Sequence, residues 1–160
     1  MKTAVGIICE YDPFHRGHAR QFALIRERFP DSRIVCLISG CFTQRGMPAL
    51  FAPAARVEAA LKAGAAMVLE LPCAFAVRDA ENFALGGVSI LSRLSFVTHL
   101  SFGTETPHLT PLQQAAALLE TPNEAFRKAL QSALAAGKPF AAAQADGVAA
   151  ALDMPDSKIL

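Results

Sequence analysis

The chain has 160 residues, 52% of them hydrophobic, and a formal net charge of +1 at neutral pH. That length suits one full core, and so even a charge balance makes no general case for nucleic-acid binding. No apolar run approaches the roughly 18–20 residues that span a bilayer, and 4–9 is too short for a secretory signal, so no membrane partner and a cytoplasmic location are expected. Residues 1–62 hold nine Lys and Arg against five Asp and Glu, whereas residues 63–160 hold six against nine; the positive half is the one suited to a phosphate ligand. A mean hydropathy of +0.32 implies surface covered by further chain or by a second copy, as in a homodimer. The four cysteines, Cys9, Cys36, Cys41 and Cys73, form no C-x-x-C pair, and neither a metal site nor a structural disulfide is expected.

In chain order, Thr3–Cys9 reads as a buried strand and is followed by a tight loop and a helix over 17–29. Pro30, Asp31 and Ser32 break that helix, and Ile34–Ile38 is a second apolar strand. A loop punctuated by Gly and Pro over 39–52 leads to a helix over 53–63, with Pro53 at its first position. Met67–Leu71 is a third strand, a helix covers 79–94, and a strand covers Val97–Phe102. Strand and helix alternating in this way predict a parallel sheet, an α/β Rossmann-like core over 1–106. After Pro107 the chain turns helical: a capping box at Thr121–Glu124 opens a helix over 123–136, and an alanine-rich helix covers 140–152. Residues 107–160 therefore read as a helical appendage.

Ligands of such sheets bind beyond the carboxyl ends of the strands. His15, the loop after Ser39, the segment Glu70-Leu71-Pro72 and Gly103 all lie at or just past predicted ends. Two histidines flank a glycine where a helix begins, His15-Arg16-Gly17-His18, an arrangement that sets imidazoles and free backbone N–H groups around a polyanion. Gly17 lets backbone and phosphate approach closely. His18, in the first helical turn, would donate to an α- or β-phosphate, with His15 binding from the other side and Pro13 and Phe14 stiffening the turn. The alternative is two histidines in a surface turn.

Gln44 and Arg45 sit on a loop from which an arginine could grip phosphate or carboxylate bidentately, or simply be solvated. Arg56 and Glu58 read as a salt-bridged helix face. Glu70 could orient a base or ribose, or cap. Gly103 could let adenine lie against backbone, and His99 and His108 read as structural.

H-x-G-H after a strand is the signature of a nucleotidyltransferase superfamily. The ordered segments E-Y-D-P-F-H-R-G-H, S-G-C-F-T-Q-R-G-M-P-A, A-L-K-A-G-A-A-M-V-L-E-L-P and F-G-T-E resemble, over residues 4–106, the tRNA(Met) cytidine acetate ligases. That resemblance implies that ATP and acetate form acetyl-adenylate, whose acetyl group passes to N4 of the wobble cytidine of elongator tRNA(Met). It implies that 7–20 holds ATP, including Ile7, Ile8, Cys9, Glu10, Tyr11, Asp12, Pro13, Phe14, Gly17 and Arg20, with His15 and His18 on the phosphates. Gly103 would line the adenine side, Asp156 would stand in a Pro-Asn segment of the nucleotide site, and Gln44 and Arg45 would face the small carboxylate.

The sequence departs from the family pattern at Asp12 and Cys41, where Asn is usual, and at Met47, where Glu is usual. Asp12 sets a negative charge beside a triphosphate, which Mg²⁺ between them would offset. The family's later Ile-Ser…Arg segment and helical tRNA-binding region find no counterpart, so a shortened chain is expected, meeting tRNA(Met) only through a missing C-terminal region. Two alternatives stay open: an adenylyltransferase acting on a phosphopantetheine or nicotinamide mononucleotide, and a non-catalytic nucleotide-binding or dimerising remnant.

Overall fold

A computed structural model describes residues 3–104 and 109–153. Four strands, β1 (Ala4–Cys9), β2 (Arg33–Ser39), β3 (Met67–Leu71) and β4 (His99–Leu100), form one parallel sheet in the order β3-β2-β1-β4. The helices between them are α1 (Arg16–Arg28), α2 (Pro53–Lys62), the single turn α3 (Cys73–Ala76) and α4 (Ala80–Arg93). Registers such as Ile7↔Cys36 and Leu37↔Leu69 bring the carboxyl ends of β1, β2 and β3 to one edge.

The alternation along β2 explains its central place. Ile34, Cys36 and Ile38 point with Val5, Ile7, Phe22, Ile25 and Ala60 into one core layer. Val35 and Leu37 point with Leu71, Ala76 and Leu91 into the other. Each fully buried aliphatic side chain contributes about 1.5–3 kcal/mol relative to exposure, so a strand buried on both faces anchors the unit. Gly6 leaves room for packing: a Cβ there would stand 2.9 Å from Leu91 Cδ1, so that buried side chain would have to shift.

The last strand is shorter than the sequence suggests, two residues in place of Val97–Phe102. Thr98 takes over its start, its hydroxyl bonding the carbonyl and N–H of Ala4 at 3.0 and 3.2 Å. Side-chain bonding of this kind competes with a regular ladder. Beyond the pairing, Ser101 N–H still reaches Gly6 O at 2.9 Å.

The chain divides into two compact units, residues 1–103 and 104–160. The second is built of α5 (Leu109–Glu120), α6 (Glu124–Ala135) and α7 (Phe140–Leu152) around Ala115, Leu118, Phe126 and Val148. Helix α5 was not expected; Pro111 near its start disguises a helix whose first turn needs no N–H there. The cap of α6 is Asn123, whose side chain accepts from Phe126 N–H at 2.9 Å, in place of the predicted Thr121 box. No helix among the described residues is long and apolar enough to cross a membrane.

Candidate functional site

The site grows from the start of α1. His15 has an extended backbone, and its Nδ1 accepts the Gly17 N–H at 3.1 Å. His18 Nδ1 accepts the His15 N–H at 3.2 Å, so two histidines close a reciprocal capping box more often built from Ser or Thr and Glu. A ring nitrogen that accepts from an N–H carries no proton, so each neutral imidazole holds its proton on Nε2. The rings stack with centroids 3.7 Å apart and planes 18° apart.

Two expectations are corrected here. The imidazoles stand side by side and do not flank a space between them, because the His15 ring caps Gly17 N–H while the His18 ring caps His15 N–H. The helix-start N–H groups are not free either: Gly17 is bound by His15 Nδ1, and His18 and Ala19 by His15 O. The two Nε2–H groups are the donors the pair itself can offer the site. Gly17 permits this stack, since a Cβ there would lie 2.9 Å from His15 Cε1. Burial, and then the neighbouring His15, lower the His18 pKa from its ordinary 6.5, which keeps the ring neutral at physiological pH.

Aromatic packing holds the pair from behind. Tyr11, at φ 53° and 1% exposed, lays its ring 4.7 Å from His18 and 4.9 Å from Phe14. Its hydroxyl meets Cys36 Sγ at 3.6 Å, and burial pushes both Tyr11 and the Cys9 thiol well up, keeping them protonated.

Two carboxylates fasten the neighbouring loop. Glu10 Oε1 accepts Gln44 N–H at 2.6 Å, while Asp12 accepts Leu50 and Phe51 N–H at 2.7 and 2.8 Å. Charge-assisted bonds of this type are about twice as strong as neutral ones. They give the Asp12 charge a use within the protein. The loop itself closes on Thr43 O and Gly46 N–H at 2.9 Å, with Gly46 at φ 76°.

Arg56 does not form the expected face with Glu58. Residues two apart on a helix do not face each other; Glu58 pairs instead with Lys62 at 2.6 Å. Arg56 is 1% exposed and points inward, donating to Glu10 O at 2.8 Å, to Phe51 O at 3.1 Å and to Gly40 O.

An open cavity of about 520 Å³ lies at this sheet edge. Its walls come from three segments: Ile7 to Pro13 of β1 and the following loop, His15 and His18 at the start of α1, and Gly103 after β4. The HIGH Nucleotidyl Transferase family model matches residues 1–158. The chain belongs to the HIGH nucleotidyltransferase family.

Among relatives of this nucleotidyltransferase, the tRNA(Met) cytidine acetate ligase of Syntrophomonas wolfei is 41% identical over 144 residues, covering 90% of this chain and 35% of the relative. That of Clostridium perfringens strain SM101 is 36% identical over 153 residues, covering 96% and 38%. Thermotoga maritima TmcAL bound with alpha-thio ATP superposes with a TM-score of 0.85 at 36% identity, over 95% of this chain and 37% of that one. The nucleotidyltransferase chain thus spans a little over a third of the length of the curated relatives it matches.

The remaining expected residues fall elsewhere. Phe14 packs behind the histidines, 5.6 Å from Phe22. Arg20 is exposed on α1 and Arg45 on the loop, both outside the cavity lining. Gln44 also lies outside it, its side chain donating to Arg78 O at 2.8 Å. Glu70 folds over Gly40, its Oε1 occupying the space a Cβ there would need. His99 lies 4.7 Å from the Phe29 ring at a 44° tilt, and its Nδ1 is 2.9 Å from Thr98 Oγ1. Asp156 and His108 lie outside the described residues.

Sequence reasoning missed Gln21 and Phe102, which complete the lining. Gln21 was findable: it stands three residues after His18, on the same helix face, and its amide donates to Ser101 Oγ at 3.0 Å. No group of three or more His, Cys, Asp or Glu among the described residues is gathered to hold a metal.

Proposed function

We propose that this chain binds ATP in the cavity at the start of α1 and activates acetate, or another small carboxylate, as its adenylate. The observation that carries the reading is the pair of stacked imidazoles lining a cavity shared with Gly103. Their two Nε2–H groups are short, rigid donors suited to phosphate oxygens, and their positions are fixed before any ligand arrives.

In the proposed reaction a carboxylate oxygen attacks the α-phosphorus in line. The new O–P bond forms as the bond to the bridging oxygen breaks, and pyrophosphate carries away the electron pair. Such transfers need positioning and charge stabilisation more than covalent help. The imidazoles would hold the phosphate oxygens, while Cys9, Glu10 and Tyr11 shape the wall. In the relatives named for tRNA(Met) cytidine, the N4 amine would then take the acetyl group, releasing AMP and a proton. We place adenylation in this chain's cavity and assign the acceptor by likeness to those relatives.

Acetate-dependent exchange of labelled pyrophosphate into ATP tests the reading. Exchange that needs acetate and is lost in a folded His18→Glu variant is the expected result. Exchange driven instead by phosphopantetheine or nicotinamide mononucleotide would move the acceptor to a small molecule. ATP binding with no exchange under any carboxylate would leave a nucleotide-binding unit without this chemistry.

A further inference from the structure

Among the described residues, Arg56 is a buried cation with no carboxylate in ion-pair contact. Its guanidinium meets only neutral oxygens: Nη1 donates to Glu10 O at 2.8 Å and Ser39 Oγ at 3.5 Å, Nε to Phe51 O at 3.1 Å, and Nη2 to Gly40 O. Among the described residues no carboxylate oxygen approaches it within 4.0 Å. Arginine does not shed its proton in a protein, and a buried charge ordinarily has a counter-charge. The carbonyls orient around it but carry no net charge. The Glu10 and Asp12 carboxylates are bonded to backbone N–H groups of the neighbouring loop.

Its place in the fold gives that charge a direction. Glu10 lines the cavity, and Arg56 bonds the carbonyl of that same residue, so the guanidinium sits immediately behind the cavity wall. It also joins the carboxyl ends of β1 and β2 through Glu10 and Gly40. At 1% exposure it is shielded little by water, and a charge in such surroundings acts over a longer range than one at the surface.

We infer that Arg56 is a positioning residue of the nucleotide site, fixing the Glu10 wall and supplying from behind it the positive charge that balances the ligand's phosphates. This inference rests on the proposed nucleotide reading. Arg56 acts through the wall and by its field, without needing to touch the ligand.

A purely architectural arginine would affect all nucleotides alike, whereas a field acts in proportion to ligand charge. Calorimetric titration of AMP, ADP and ATP into wild type, Arg56→Met and Arg56→Lys separates the two, with thermal melting to confirm folding. Arg56→Met is expected to weaken ATP about tenfold or more and AMP about threefold or less, a graded loss following Coulomb's law. Arg56→Lys keeps the charge but not the planar fork, and should preserve the wild-type ratio of ATP to AMP affinity within about twofold. If Arg56→Met does not fold, Arg56→Gln, which removes the charge but keeps an amide donor for the surrounding carbonyls, is read by the same ratio. A folded Arg56→Met with the wild-type ratio overturns the inference, as does an Arg56→Lys in which ATP binding collapses relative to AMP. If wild type binds none of the three nucleotides, the nucleotide reading itself falls. If it binds them and the ratio never moves, only the role of Arg56 does.

Discussion

At the scale of single residues, the histidine pair combines two tasks, capping α1 and presenting donors. Gly17→Ala should disturb both, because its methyl would press on the His15 ring 2.9 Å away. We expect a stability loss of about 0.5–2 kcal/mol, the usual cost of a lost N-cap, together with weaker ATP binding, read by denaturant unfolding and calorimetry. Protonation offers a second test. The folded His18 pKa lies below 6.5, so the unfolded chain binds the extra proton first. Stability is therefore fully present above 6.5 and falls as pH drops from there through the lowered folded value. His18→Gln keeps a side-chain acceptor for the His15 N–H but cannot titrate. Its melting temperature should depend less on pH than that of wild type between pH 7 and 5. Equal slopes for the two proteins would contradict the assignment. The place of these residues at a helix start was legible in H-x-G-H, but their mutual stacking was not, since capping by a histidine side chain leaves no mark on spacing.

At the scale of elements, the strands were readable because β1 and β2 are short apolar runs bounded by turn residues. What spacing could not show was how the loop over 40–52 attaches to the motif loop. Asp12 seemed from sequence to burden a phosphate site, yet it accepts two backbone N–H groups at 2.7 and 2.8 Å. Asp12→Ala should release them. Hydrogen bonds to charged groups contribute about 1.5–3 kcal/mol each, so a loss of a few kcal/mol is the upper bound at this half-exposed site. Hydrogen exchange should show the Leu50 and Phe51 amides opening first. If those amides keep their protection in the variant, the carboxylate is not what holds the loop. Arg56 escaped sequence reading for a similar reason: a helix-borne arginine near a glutamate looks solvated until the packing of α2 turns it inward.

At the scale of the whole molecule, the two units have separate cores, and the cavity lining runs from Ile7 to Gly103 within the first. The alternation of strand and helix pointed to the parallel sheet. The short β4 and helix α5 were hidden by a threonine that bonds across to β1 and by a proline in a first helical turn. Everything proposed for function depends on one cavity holding a nucleotide at the paired imidazoles. The direct test is calorimetric titration of ATP into wild type and His18→Glu. Glutamate at this third helical position restores a side-chain acceptor for the His15 N–H while setting a negative charge where phosphate should lie. The account predicts saturable binding of one ATP by wild type and its loss in a variant that melts within a few degrees of it. Unchanged ATP binding by folded His18→Glu would contradict it.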